Sequence, residues 1–194
     1  AARFGPIDVL INNAAMQIAE PTVECDPAAL DAQIALNLTA PMRLTHAVLP
    51  EMLQRGAGTI VDISSMVALA ALPGMWAYNA TKAGLAAASE SLRCELRGSG
   101  VHIITAYLGV VDTPLSRNGF APYPDWVRSF LLQGDAEELA RRVRSAVELG
   151  QSRIIYPLAY QLPRMFPGIS RWVLDHFAPP PRSRKQLAPS GVSR

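Results

Sequence analysis

The stretch Trp76–Gly84 reads WAYNATKAG. It sets one tyrosine, Tyr78, and one lysine, Lys82, four residues apart among small neighbours. On a helix, positions i and i+4 share a face. A phenol has an ordinary pKa of about 10, poorly matched to neutral proton transfer. A nearby ammonium stabilises the phenolate and lowers that value, so the pair is expected to act as a proton donor and acceptor. Ala77, Asn79, Ala80, Ala83 and Gly84 leave room for something flat to lie against the helix. The spacing also arises by chance, in which case Tyr78 is a tyrosine at the core's edge and Lys82 is solvated.

The surroundings decide what the pair is for. Ile7–Ile11 (IDVLI), Thr59–Ile63 (TIVDI), Val101–Tyr107 (VHIITAY) and Arg153–Tyr156 (RIIY) are short, nearly continuous apolar runs. Such runs suit strands buried on both faces of a parallel sheet. Helical stretches separate them. Asp26-Pro27 opens one that runs to about Gln54, with a kink expected at Pro41. Trp76 opens a second, ending at Gly98 or Gly100. Asp135 and Glu138 read as a capping box for a third, reaching about Leu149. Strands alternating with helices predict a doubly wound α/β fold with a parallel sheet. Ligands of such sheets sit beyond the carboxyl ends of the strands. There the sequence places Asn12-Asn13-Ala14-Ala15, Ser64-Ser65, and Leu108-Gly109 with Asp112-Thr113. Asn37 stands four residues before Pro41, which has no N–H to offer the Asn37 carbonyl. That acceptor is expected to be free for water or a lysine, the alternative being a solvent-facing residue beside a tolerated kink.

These pieces together resemble the classical short-chain dehydrogenase/reductase family. The matching residues are NNAA (Asn12–Ala15), NLTAP with Asn37, IVDISS ending at Ser65, YNATK with Tyr78 and Lys82, and LGVVDTPL (Leu108–Leu115). The resemblance covers residues 1–157. It implies a Rossmann-type sheet and reversible hydride transfer between NAD or NADP and a small-molecule alcohol or carbonyl. By the same resemblance Tyr78 is the acid/base, Lys82 tunes it and holds the nicotinamide ribose, and Ser65 binds the substrate oxygen. Asn37 would hold a relay water. Thr113 and the backbone of Val111 would hold the carboxamide, while Asn12 and the backbone through Ala14 would line the adenosine-ribose side and stabilise the central sheet. The sequence departs from the family at Ala15, where glycine is usual, and at Leu108, where proline is usual.

The resemblance also implies a first strand and a glycine-rich turn for the pyrophosphate, followed by a residue that selects NAD or NADP. No match to these occurs in the 194 residues. Gly56-Ala57-Gly58 and Gly98-Ser99-Gly100 precede strands and do not open helices. The expectation is the carboxy-terminal two-thirds of a reductase, binding dinucleotide poorly and leaving the Ile7–Ile11 strand at an open edge. Two other readings stand beside it: an inactive remnant or interaction module, and an epimerase or dehydratase of the extended relatives. The complete enzyme is expected to form a homo-oligomer.

Composition narrows the rest. Hydrophobic residues make up 49% and charged residues 18%, with a formal net charge of +2. General polyanion binding is not implied, and no nucleic-acid motif is present. Cys25 and Cys94 have no metal-ligand spacing and read as free buried thiols in a reducing compartment. His46, His102 and His176 fall in different element types, and neither a hydrolase motif nor a metal cluster is evident. No apolar run reaches a membrane-spanning length of about 18 residues, and a cytoplasmic protein is expected. The segment from about 115 to 134 reads as a substrate flap holding a short helix, with Phe120, Tyr123, Trp126, Phe130 and Leu131. These either pack the flap down or line an apolar pocket for a lipophilic carbonyl compound. Charge is uneven: residues 151–194 hold seven Lys/Arg against one acidic residue, residues 1–150 eleven against fifteen. The 158–194 region is expected to be helical turns followed by a basic disordered tail, PPPRSRKQLAPSGVSR. It either packs on the body or a subunit interface, or makes a weak peripheral membrane contact.

Overall fold

The four apolar runs become one parallel sheet in the computed structural model, which describes residues 5–183. The strands are β1 (Val9–Asn12), β2 (Gly58–Ser65), β3 (Val101–Leu108) and β6 (Arg153–Tyr156), in the order β1-β2-β3-β6. Each lies within two residues of its expected bounds. Ile60, Val61 and Ile104 in the central strands are wholly buried, which accounts for their apolar runs. On one face Met52, Ile60, Leu96, Val101 and Ile103 pack beneath the helices α2 (Ala40–Arg55) and α3 (Trp76–Glu95). On the other, Val61, Ile104 and Ile154 pack against Val143 and Ala146 of α6 (Ala136–Glu148). The sheet is therefore covered on both faces, as the α/β reading requires. Beyond Leu108 the chain adds a second, two-stranded parallel pair, β4 (Val110–Val111) and β5 (Gln133–Gly134).

At β1 the cover fails. It pairs with β2 on one side only, among the described residues, and Ile7, Val9 and Ile11 are 43, 41 and 49% exposed. The expected open edge is thus apolar as well as unpaired. Elsewhere turns are closed tightly. A side chain on Gly100 would meet the Gly56 carbonyl at 1.9 Å, and both glycines adopt positive φ.

Several local expectations need correction. The first long helix is not simply kinked at Pro41. It runs as α1 (Pro27–Ile34), a π-helical turn (Ala35–Thr39) and α2. A widened turn directly before a proline accommodates the missing N–H. Asp135 caps α6 by accepting from Glu138 N at 2.8 Å, but the box is not reciprocal. The Glu138 carboxylate is held by Arg141 and Arg142, while Asp135 N donates to the Tyr156 hydroxyl. A full capping box occurs instead at Thr113 and Ser116, opening α4 (Pro114–Phe120). The flap therefore holds two helices, α4 and α5 (Asp125–Phe130). Neither cysteine is buried: Cys25 is half-buried and Cys94 exposed. After β6 come α7 (Gln161–Met165) and α8 (Pro167–Phe177). Most of the expected disordered tail, from Arg184 on, lies outside the described residues.

Ile104 sits at the centre of β3 with no exposure, so Ile104→Ala should cost about 2–5 kcal/mol. Val23→Ala, at a side chain 94% exposed, should change stability by less than about 0.5 kcal/mol. Urea unfolding of both variants checks the pair, and an unchanged midpoint for Ile104→Ala would contradict the assigned core.

Candidate active site

The site grows from α3. Its first two turns carry Ala77, Tyr78, Asn79, Thr81 and Lys82, all buried against the sheet. Lys82 is 3% exposed, and its Nζ donates to the Ile63 carbonyl at 2.7 Å. Ser64 donates to the Lys82 carbonyl at 2.8 Å, so helix and strand are tied in both directions. Ser65 ends β2. Its Oγ donates to the Leu108 carbonyl at 3.2 Å and accepts from Val67 N at 3.3 Å. The Ser65 side chain stands beside the Tyr78 hydroxyl, where it favours the phenolate. The Lys82 Nζ lies 5.8 Å from the Tyr78 ring centroid. Three of the four candidate catalytic residues, Ser65, Tyr78 and Lys82, therefore line one cleft at the carboxyl ends of β2 and β3.

The proton affinities differ from the expectation. Burial pushes Tyr78 up to about 12, and the polar Ser65 side chain beside it only partly opposes the shift. The ring packs with Met75, Tyr123 and Val127, which strip water from the phenolate form. Lys82 is not among the causes of the Tyr78 shift, which are burial and the opposing Ser65. Burial in turn pulls Lys82 down to about 8, while the buried Asp62 carboxylate works against that fall. Asp62 itself is pushed up by burial, opposed by hydrogen bonds from Asn12 and Ser89 and by the Lys82 charge. Near neutrality the arrangement holds a protonated phenol one helical turn from an amine whose titration has moved toward neutral pH.

Asn37 sits in the π-helical turn at 1% exposure. Its Oδ1 accepts from Met16 N at 2.9 Å, and its Nδ2 donates to the Met16 carbonyl and the Thr81 hydroxyl. The side chain is a clamp between the loop after β1 and α3, and it is not solvent-facing. Asn12 behaves similarly. Its Nδ2 donates to Asp62 Oδ1 at 2.7 Å and to Thr45 Oγ1 at 3.3 Å, stitching β1 to β2 and α2. In this loop the cavity wall is made by Asn13 and Ala15, and not by Asn12 or Ala14. Strand alternation alone turns Asn12 to one face and Asn13 to the other, a signal the sequence offered.

The cavity has a volume of about 1150 Å³ and a predominantly apolar wall. Val111 and Thr113 both line it, with the Thr113 hydroxyl shared between the α4 cap and the Val111 carbonyl. Gly109 is required by close approach, since a side chain there would meet the Tyr160 ring at 2.3 Å. The flap aromatics divide. Phe120 and Leu131 line the cavity; Tyr123 is buried and donates to the Pro73 carbonyl; Trp126 is 55% exposed. The Phe130 side chain lies outside those described. The cluster of a phenol, an ammonium, the Thr113 hydroxyl and the Val111 carbonyl matches the hydrogen-bonding groups of a nicotinamide riboside. No glycine-rich turn opening a helix at the cavity is found among the described residues, so the fit covers that end of a dinucleotide.

Lys82 and Lys185 are the two lysines of the chain, which makes the shifted amine directly observable. With side-chain nitrogen labelling, the Lys82 signal, identified by its loss in Lys82→Met, should titrate near pH 8. The folded pKa of Lys82 is below its unfolded value of 10.5, so the unfolded chain binds the extra proton between the two. Its contribution therefore makes stability rise with pH across that window, by at most about 1.4 kcal/mol per unit. Lys82→Met should remove that rise in urea unfolding measured at successive pH values. Two lysines both titrating above about 10 would refute the burial account.

Comparison with known proteins places the site in a family. Residues 1–123 match the short chain dehydrogenase family. A fatty acyl-CoA reductase of Mycobacterium tuberculosis is 40% identical over 116 residues, 58% of this chain and 40% of that protein. The ketoacyl reductase HetN of Nostoc is 40% identical over 108 residues, covering 56% and 38%. The chain spans less than half the length of these curated relatives. Among solved structures, a short chain dehydrogenase of Burkholderia cenocepacia in complex with NADP superposes with a TM-score of 0.73 at 28% identity, over 89% of this chain and 70% of that one. The parallel sheet is thus one that solved members of a known family share, and this chain belongs to the short chain dehydrogenase family.

Proposed function

We propose that the complete gene product is an NAD(P)-dependent oxidoreductase that interconverts a lipophilic carbonyl compound and its alcohol, with Tyr78 as the acid/base. The observation that carries this is Tyr78, held protonated by burial and set beside Ser65 in the wall of an apolar cavity. Relatives named as acyl-CoA and ketoacyl reductases, and structural neighbours holding NADP or NADPH, agree with it.

A reduced nicotinamide, held by Lys82, Val111 and Thr113 when bound, would supply the hydride for the carbonyl carbon. Ser65 donates a hydrogen bond to the carbonyl oxygen and fixes it beside the phenol. Tyr78 gives its proton to that oxygen as negative charge develops there, yielding the alcohol. Lys82, an ammonium below about pH 8, stabilises the phenolate left behind and holds the ribose. The amide of Asn37 is fully engaged by Met16 and Thr81, so any water it holds is bound by its main-chain carbonyl in the π-helical turn. Val111 and Thr113 hold the carboxamide, which orients the ring. In the reverse direction the Tyr78 phenolate takes the alcohol proton.

The test is reduced-cofactor consumption with long-chain ketones in the complete gene product. Tyr78→Phe keeps the ring and removes the proton, and should lower kcat by at least about 100-fold with little change in cofactor affinity. Lys82→Met should weaken both. Full activity in Tyr78→Phe would end the assignment.

A further inference from the structure

The stretch Ala178–Ser183 reads APPPRS and follows α8. Ala178 is extended, and the three prolines after it have a fixed φ and no N–H. A proline run of this kind keeps an extended shape at little entropic cost. Arg182 carries the first backbone donor after the run, and that donor is committed to the substrate flap: Arg182 N donates to the Pro122 carbonyl at 2.8 Å. Pro181 is buried. It sits against Gly74, where φ is +80° and a side chain would meet the Pro181 ring at 2.2 Å. Ser183 Oγ donates to Glu24 Oε1 at 2.6 Å, which carries the stretch on to the single helical turn Thr22–Glu24.

These contacts close a triangle of residue pairs. The flap contributes Pro122 and Tyr123, the loop before α3 contributes Pro73 and Gly74, and the C-terminal stretch contributes Pro181 and Arg182. The Pro122 carbonyl takes Arg182 N, the Tyr123 hydroxyl donates to the Pro73 carbonyl, and Pro181 fills the space beside Gly74. The Gly74 carbonyl accepts from Glu20 N at 3.0 Å, which anchors that corner to the loop after β1. Tyr123 is the member that reaches the site, being 2% exposed and packed with Tyr78 and Met75. Pro122 and Tyr123 lie in the turn between α4 and α5, the middle of the flap. The ion pairs of Arg117 and Arg128 with Asp112 tie the flap only to its own stem. The C-terminal stretch therefore holds the part of the flap that its stem does not.

We propose that Ala178–Ser183 is a latch: it pins the turn between α4 and α5, and the flap lifts from the cavity only when Pro181 and Arg182 let go. Resting on the carbonyl-reductase reading, the latch sets how often a carbonyl compound reaches Tyr78. Flap motion needs no turnover, so its test stands apart from that reading.

The test is hydrogen exchange read by mass spectrometry on the full chain, in peptides from the flap and from β3. Arg182→Pro removes the one hydrogen donated to Pro122. It should speed exchange of the flap amides, those of Tyr123 and Val127 among them, at least about fivefold. Arg182→Ala keeps that N–H and deletes only an exposed side chain, so flap exchange should stay within about twofold of the parent chain. Pro181→Gly empties the contact with Gly74 and should act in the same direction as Arg182→Pro. The β3 amides should keep their protection in all three variants. Equal flap exchange in Arg182→Pro and Arg182→Ala would overturn the proposal. So would a speeding of β3 by the same factor as the flap, which would make the stretch a general support of the fold.

Discussion

The bond from the Lys82 ammonium to the Ile63 carbonyl, 2.7 Å long and 3% exposed at its donor, is what the site is built around. It spends a strand-end carbonyl on a side chain, and it fixes α3 against β2 at the point where β2 ends in Ser65. With that helix position set, Tyr78 lies one turn earlier and shares the cavity wall with Ser65. Ser64 returns a bond to the Lys82 carbonyl, so the helix cannot slide along the strand without breaking two buried contacts. An unpaired buried ammonium would be costly, and the nearby Asp62 charge shares the burden of keeping it. Asp62 is in turn held by Asn12 from β1. The cluster therefore depends on a polar layer running from Asn12 of β1 through Asp62 of β2 to Lys82 of α3.

The same burial that positions these groups also sets their chemistry. A phenol pushed up to about 12 is a reluctant anion, which suits it to donate a proton only as charge appears on a neighbouring oxygen. Proximity of Lys82 contributes less than its spacing in the sequence suggests, because desolvation of Tyr78 by Met75, Tyr123 and Val127 outweighs it. The flap thus acts on the acid/base residue through Tyr123 as well as covering the cavity through Phe120 and Leu131.

Legibility in the sequence followed the range of the interactions. The strands β2, β3 and β6 were readable because burial on both faces leaves a continuous apolar run. Tyr78, Lys82 and Ser65 were readable because a helical turn and a strand end are local features. The pair β4–β5 was not, since two residues per strand carry no period. Asn12 pairs with Asp62, fifty residues away, and nothing near Asn12 announces that partner. The half-formed cap of α6 was misread because Arg141 and Arg142 compete for Glu138. Cys94 lies on the outer side of α3, a placement that depends on which face of the helix meets the sheet. The direction of the Tyr78 shift depends on the flap folding over it, and no motif records that.

The central claim is that these residues by themselves assemble the nicotinamide end of a dehydrogenase site. Transferred nuclear Overhauser measurements on nicotinamide mononucleotide, mixed with this chain, test it most directly. Contacts should appear between the nicotinamide ring protons and the Tyr78 ring, identified by selective tyrosine labelling, and they should be lost when Thr113 is replaced by a bulky residue that fills the carboxamide side. Contacts with no tyrosine, or contacts that survive that replacement unchanged, would contradict the account.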